Sequence, residues 1–295
     1  MRTRSLILTL VSSFAVACGG SSARPSAPIT AAAPTLLWVD GGAGRLRVSD
    51  GGTGAPTIVF VHGLGGDYTV WDAQVAHLRA RHRVVAFDQR GHGESTPAAA
   101  GGYTVDALAD DLEAVSRALD LGPIVLVGHS MGGGVISTYA GRHPQQVVGL
   151  VYLDAIGDLA AIPREEVDPF VAAARAAADP AARVAFFADQ FGRARPGTRE
   201  RVEAGLAKLD ATAFGELFTA IGELRDGKAR VAPYRGPMVA IEDATNQSPD
   251  LASLALGARR VGIADVSHWL QLDDPDAVNR ALDAFLATLA TDPRP

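Results

Sequence analysis

The stretch Ile124-Val125-Leu126-Val127-Gly128-His129-Ser130-Met131-Gly132-Gly133-Gly134 carries two signals. Its first four residues are apolar and mostly β-branched, the composition of a strand buried on both faces of a sheet. They run directly into Gly-x-Ser-x-Gly, and a helical pattern follows. A strand, a sharp turn and a helix form the context in which this motif exposes a serine hydroxyl at a helix N-terminus, where the helix dipole favours developing negative charge. A side chain at Gly128 or Gly132 would clash within so tight a turn. The competing reading is a chance glycine–serine pattern; the preceding strand and the further Gly133-Gly134 argue against it.

Outward from this point the same alternation repeats. Leu36–Val39 and Arg45–Val48 read as short strands around the turn Gly41-Gly42-Ala43-Gly44. Thr57–Val61, Arg83–Asp88, Val148–Leu153 and Met238–Ile241 are further strand-like apolar runs. Val105, Leu108, Leu112, Val115 and Leu119 recur at spacings of three and four, giving one apolar helical stripe. Val278, Leu282, Phe285, Leu286 and Leu289 give another, with Asp274 as N-cap and Pro275 at the first helical position. Strands alternating with amphipathic helices predict a parallel sheet covered on both faces. Ala155 to Gly236 breaks the rhythm. It has Ala-rich helical patches and no clear buried strand, and reads as a helical insertion over the sheet edge where ligands bind.

Three motifs occur in order: His62-Gly63-Leu64-Gly65-Gly66 after the third strand, Asp88-Gln89-Arg90-Gly91-His92-Gly93-Glu94-Ser95 after the fourth, and Gly128 to Gly132. With them the chain resembles the α/β-hydrolase superfamily from about Leu36 to the C-terminus. The resemblance implies an α/β-hydrolase fold with a mostly parallel eight-stranded sheet and a helical cap between strands six and seven. The core is then 36–154 and 237–295, and the cap 155–236. It also implies that the backbone N–H groups of Leu64 and Met131 form an oxyanion hole, two fixed donors for charge that appears only in the transition state.

A serine hydroxyl needs a base. Of seven histidines, His62 and His92 belong to loop motifs that look structural, and His62 reads as ordering its loop. His77 and His82 precede the fourth strand, His129 is the spacer within the motif, and His143 stands before Pro144. His268, in Asp265-Val266-Ser267-His268-Trp269-Leu270, remains, and the family places its base in that loop. The family's usual acid follows strand seven, where the sequence reads Ile241-Glu242-Asp243-Ala244-Thr245-Asn246-Gln247. Asn246 occupies the usual slot, and an amide cannot stabilise an imidazolium. A second location used in the superfamily, the end of strand six, holds Asp154. The expected triad is Ser130, His268 and Asp154, with Asp243 and Glu242 as alternatives for the acid. Trp269 and some of the cap residues Phe170, Phe186, Phe187, Phe191, Phe214, Leu217, Phe218 and Ile221 are candidates to line an apolar pocket.

The N-terminus has Arg2 and Arg4 before the apolar run Leu6–Ala17, too short to span a bilayer. Residues 1–17 read as a signal peptide. Ala15-Val16-Ala17-Cys18 resembles a bacterial lipobox, although Ala15 stands where such boxes usually have Leu. Cys18, the only cysteine, is then the lipidation site, and 18–35 a small, proline-rich tether. The expected location is exported and lipid-anchored on the periplasmic or cell-surface side of a bacterial membrane. A single cysteine excludes an intrachain disulfide and a thiolate zinc cluster. A net charge of −6 over 295 residues argues against a nucleic-acid partner. No metal site or cofactor motif is present. The predicted function is a serine hydrolase cleaving a carboxylic ester of a small to medium apolar substrate through an acyl-enzyme. Thioester cleavage, perhydrolysis or carbon–carbon bond hydrolysis could use the same triad. A different class, a surface-anchored ligand-binding protein with weak turnover, is kept open by Asn246.

Overall fold

A computed structural model describes residues 35–290. The expected signal peptide, Cys18 and the tether up to residue 34 lie outside the described residues. Eight strands form one sheet: β1 (Thr35–Gly41), β2 (Gly44–Gly51), β3 (Thr57–Val61), β4 (Val84–Phe87), β5 (Ile124–His129), β6 (Val147–Leu153), β7 (Met238–Asp243) and β8 (Arg259–Ile263). Their spatial order is β1-β2-β4-β3-β5-β6-β7-β8. β2 is antiparallel to β1 and to β4, and every other pair is parallel. This is the α/β-hydrolase fold that the motifs implied.

The central strands are apolar throughout because both faces are covered. Val59, Val61, Val85, Phe87 and Leu126 point into one core, with Leu108, Leu112 and Val115 of α2 (Val105–Ala118) and with Val135 and Ile136 of α3 (Gly132–Arg142). The alternate residues Ile58, Phe60, Val84, Ala86, Val125 and Val127 point into the other. There they meet α1 (Asp72–Leu78) and α12 (Pro275–Ala290), whose N-cap Asp274 accepts the Ala277 N–H at 2.9 Å. β8 has no sequence signal of the same strength. It lies at the sheet edge, reads Arg259-Arg260-Val261-Gly262-Ile263, and buries only Ile263.

Six helices lie between β6 and β7: α4 (Arg164–Ala176), α5 (Pro180–Phe186), α6 (Ala188–Phe191), α7 (Pro196–Lys208), α8 (Ala211–Gly222) and α9 (Gly227–Val231). Phe186, Phe187, Phe214 and Phe218 make a ring cluster with centroids 4.8–6.2 Å apart. Helix α7 touches the loop after β3 backbone to backbone. A Cβ at Gly205 would stand 2.0 Å from the Gly65 carbonyl oxygen. Two short helices, α10 (Ala252–Ala255) and α11 (Leu270–Asp273), complete the chain. Among the described residues no helix is long and apolar enough to cross a membrane.

One buried ion pair ties the loop after β4 to the helical layer. Arg90 donates to both carboxylate oxygens of Asp111 on α2, at 2.6 and 2.8 Å, and to the Gly102 and Ala107 carbonyls. Asp111 also accepts the Gly42 N–H at 3.0 Å. Removing one partner leaves a buried charge uncompensated. Asp111→Ala should therefore lower the unfolding free energy by about 3–5 kcal/mol, measured by urea denaturation. A loss below about 1 kcal/mol would mean that Arg90 finds water or another acceptor.

Candidate active site

Ser130 sits between β5 and α3 with φ of 53°, a left-handed conformation that costs a non-glycine residue energy. Its neighbours enforce it. A Cβ at Gly132 would lie 2.5 Å from the Val61 carbonyl oxygen, and one at Gly128 2.6 Å from that of Gly132. The Ser130 N–H donates to Leu153, and its carbonyl accepts from Gly133 and Ile156, at 2.9–3.2 Å. The turn is thus pinned to the strand-six end on both sides.

That end carries Asp154, also left-handed with φ of 39°. Its N–H donates to the Ile241 carbonyl at 2.8 Å, and its Oδ1 accepts the Asp243 N–H at 3.3 Å. Its Oδ2 lies 2.7 Å from Nδ1 of His268, in the loop between β8 and α11. An ionised carboxylate can only accept, so Nδ1 carries the proton and Nε2 is left as the basic nitrogen. Ser130, Asp154 and His268 line one cavity of about 630 Å³, walled on the cap side by Leu159, Val167, Phe187, Phe218 and Ile221.

The other candidate acids go elsewhere. Glu242 is fully buried, accepts from Ser253 N–H and Oγ–H, and faces Arg260 Nε at 3.0 Å. The Asp243 carboxylate takes Arg193 and Thr245, while its backbone N–H donates to Asp154. Asn246 lines the cavity, with its Oδ1 accepting the Ser248 N–H at 3.1 Å. Leu64 lines the cavity as well, and Met131 stands at the start of α3. Neither of their N–H groups is taken by a backbone carbonyl among the described residues, as oxyanion donors require. Of the cap aromatics, Phe170, Phe187 and Phe218 reach the cavity, while Phe186, Phe191 and Phe214 pack among themselves and their neighbours. Trp269 is not a wall of this cavity: its ring stacks on Phe191 at 5.1 Å. Among the described residues no three His, Asp or Glu side chains converge as metal ligands would.

Two histidines outside the triad shape the site. His62 Nδ1 donates to the Gly63 carbonyl at 2.7 Å, and its Nε2 accepts the Gln89 N–H at 3.0 Å. It joins the loops after β3 and β4, the ordering role read from its motif. His129, passed over in the sequence as a spacer, donates from Nε2 to the His268 carbonyl at 2.9 Å. It braces the backbone of the base. Its partner is 139 residues away, so no local pattern could reveal the contact.

Comparison with known proteins places the chain among related sequences and structures. The profile of a family described as alpha/beta hydrolase fold matches residues 56–220. The chain is 40% identical over 240 residues to the dihydrolipoyllysine-residue acetyltransferase component of the acetoin cleaving system of Pseudomonas putida, covering 80% of this chain and 65% of that one. It is 48% identical over 97 residues to the non-heme chloroperoxidase CPO-A1 of Kitasatospora aureofaciens, covering 32% of this chain and 34% of that one. The chain thus spans less than two thirds of each of these relatives. The solved enol-lactonase of Burkholderia xenovorans superposes with a TM-score of 0.72 at 26% identity, covering 85% of this chain and all of that one.

Burial holds three imidazoles neutral: His62 is lowered, His92 is lowered to about 3, and His129 is well below the usual 6.5. The unfolded chain takes up a proton at each below about pH 6.5 and the folded protein does not, so stability falls as pH drops. Asp88 opposes this. Burial raises its carboxyl to about 6, so between pH 6 and 4 the folded protein holds a proton that the unfolded chain has released. With three lowered imidazoles against one raised carboxyl, unfolding takes up protons overall, so stability should fall as pH drops from 6.5 toward 5. Urea denaturation at successive pH values reads this slope. A flat profile between pH 5 and 6.5 would show that these imidazoles reach water.

Proposed function

The chain belongs to the α/β-hydrolase fold family, and we propose that it is a serine hydrolase that cleaves carboxylic esters through an acyl-enzyme. The observation that carries this reading is the 2.7 Å contact of Asp154 with His268 Nδ1 beside the left-handed Ser130, all three lining one cavity. Ser130 Oγ attacks the ester carbonyl while His268 Nε2 takes its proton. Asp154 keeps the imidazole in the required tautomer and stabilises the imidazolium. The N–H groups of Leu64 and Met131 receive the oxyanion. His268 then gives the proton to the departing alcohol. Water, deprotonated by the same nitrogen, attacks the acyl-enzyme and releases the acid. The apolar cap wall suits an acyl or alcohol group of small to medium size. The likeness to an enol-lactonase, named for opening a cyclic ester, supports the same bond type. A second reading is favoured by the relative named a chloroperoxidase: hydrogen peroxide replaces water as the acceptor and a peracid leaves. For location we propose export and a lipid anchor on Cys18, which rests on the sequence of residues 1–18.

A fluorophosphonate should label the protein at Ser130, and Ser130→Ala should lower kcat on a p-nitrophenyl ester by about 10⁶. Asp154→Asn should lower kcat by about 10⁴ with little change in KM, and Asp243→Asn and Glu242→Gln by no more than about tenfold. Undiminished labelling of Ser130→Ala would remove the nucleophile assignment. A large loss in Asp243→Asn with a near-normal Asp154→Asn would move the acid to strand seven.

For the anchor, Cys18→Ala should abolish incorporation of labelled fatty acid and release the protein from membranes. An unmodified wild-type N-terminus beyond Cys18 would refute it.

A further inference from the structure

The cavity around Ser130 carries a charge imbalance that ester cleavage does not need. Among the described residues its lining includes five acidic residues, Asp154, Glu166, Asp189, Asp243 and Asp250, against one arginine, Arg193. Asp154 is committed to His268, and Asp243 to Arg193. Among the described residues Glu166, Asp189 and Asp250 have no ion-pair partner. The nearest arginine on the helix of Glu166, Arg164, is engaged by Asp168 and Glu223. Asp250 accepts only a hydroxyl hydrogen bond from Ser248 at its side chain.

A second observation says what kind of ligand such a mouth suits. Phe170 also lines the cavity, yet it is 43% exposed, one of few large apolar side chains so open. Its ring is held in place by Phe186 at 4.6 Å and Phe218 at 5.4 Å. Glu166 and Phe170 are four residues apart on α4, which puts them on one face of the helix, one turn apart. An open aromatic ring beside an unpaired carboxylate attracts an alkylammonium group twice, through the ring quadrupole and through charge. The same field opposes a carboxylate.

We propose that the substrate is an apolar ester bearing an alkylammonium group, received at the cavity mouth by Glu166 and Phe170 with Asp189 and Asp250 adding to the field, and that carboxylate-bearing esters are rejected. The proposal rests on the serine-hydrolase reading and narrows its substrate.

The test uses three p-nitrophenyl esters of matched size, those of trimethylammoniobutyrate, of its neutral tert-butyl isostere, and of a dicarboxylic half-ester of the same length. The cation should exceed the anion in kcat/KM by at least about tenfold at low salt, since clefts lined by one sign of charge raise encounter rates by roughly 10 to 10³. The ratio should shrink toward one in molar salt, where screening acts over about 3 Å. Glu166→Gln and Phe170→Leu should each reduce the cation-to-neutral ratio severalfold, and both positions are exposed enough to substitute without unfolding. Turnover of the neutral ester with a cation-to-anion ratio of one or less would overturn the proposal; a preference for the anion would assign recognition to Arg193 instead. Calorimetric binding of the same esters to Ser130→Ala reads the charge preference without chemistry. Preferential binding of the cation there, with no turnover by the wild type, would uphold the mouth's selectivity and sink the hydrolase reading.

Discussion

The turn at Ser130 exists because two glycines leave no room for anything else. With φ of 53°, Ser130 is held in a conformation that most residues avoid, and the backbone of β3 passes too close to Gly132 for even a methyl group. That close approach brings the loop after β3, with its Leu64 N–H, next to the start of α3, with its Met131 N–H. The same turn exchanges hydrogen bonds with Leu153 and Ile156. A single steric constraint therefore sets the serine hydroxyl, the Leu64 and Met131 N–H groups and the end of strand six relative to one another.

The position of the acid follows from how parallel strands end together. β6 and β7 pair in register up to Leu153 and Ile241, so the residues just beyond them are neighbours. Asp154 turns left-handed there and sends its carboxylate to His268, while its other oxygen takes the N–H of Asp243. Asp243 is left free to hold Arg193, which comes from the cap and also donates to the Val266 carbonyl in the loop of the base. One strand end thus supplies the carboxylate at the imidazole, and the next anchors the cap over it. Asn246 carries no burden in this arrangement, which explains why an amide can stand there.

The cap's contribution is shape and field. Its phenylalanines form a cluster of their own, and only some of them reach the cavity; the contact of Gly205 with Gly65 sets α7 directly on the loop after β3. Burial then tunes the surrounding histidines. Burial outweighs the backbone hydrogen bonds and, for His62 and His92, the nearby Asp67, and so pushes His62, His92 and His129 toward the neutral form, in which they act as donors and acceptors in the scaffold.

Strand, turn and helix around Ser130 were readable because each is a local property: β-branched runs, glycines at a fixed spacing, apolar residues every three or four positions. The order of the motifs was readable for the same reason, whereas His268 was reached by elimination among the histidines together with the family resemblance. β8 was not readable, because an edge strand with two arginines buries a single residue and leaves no periodic trace. The sequence put Asp154 first and kept Asp243 and Glu242 as alternatives, since all three stand at strand ends and only the direction of each side chain distinguishes them. Tertiary structure decided that Asp154 meets His268, that Glu242 turns to Arg260, that His129 braces the base, and that Trp269 packs on the cap instead of the cavity. Each of these is a contact between residues far apart in the chain, and the energy that selects it comes from packing, which no local pattern records.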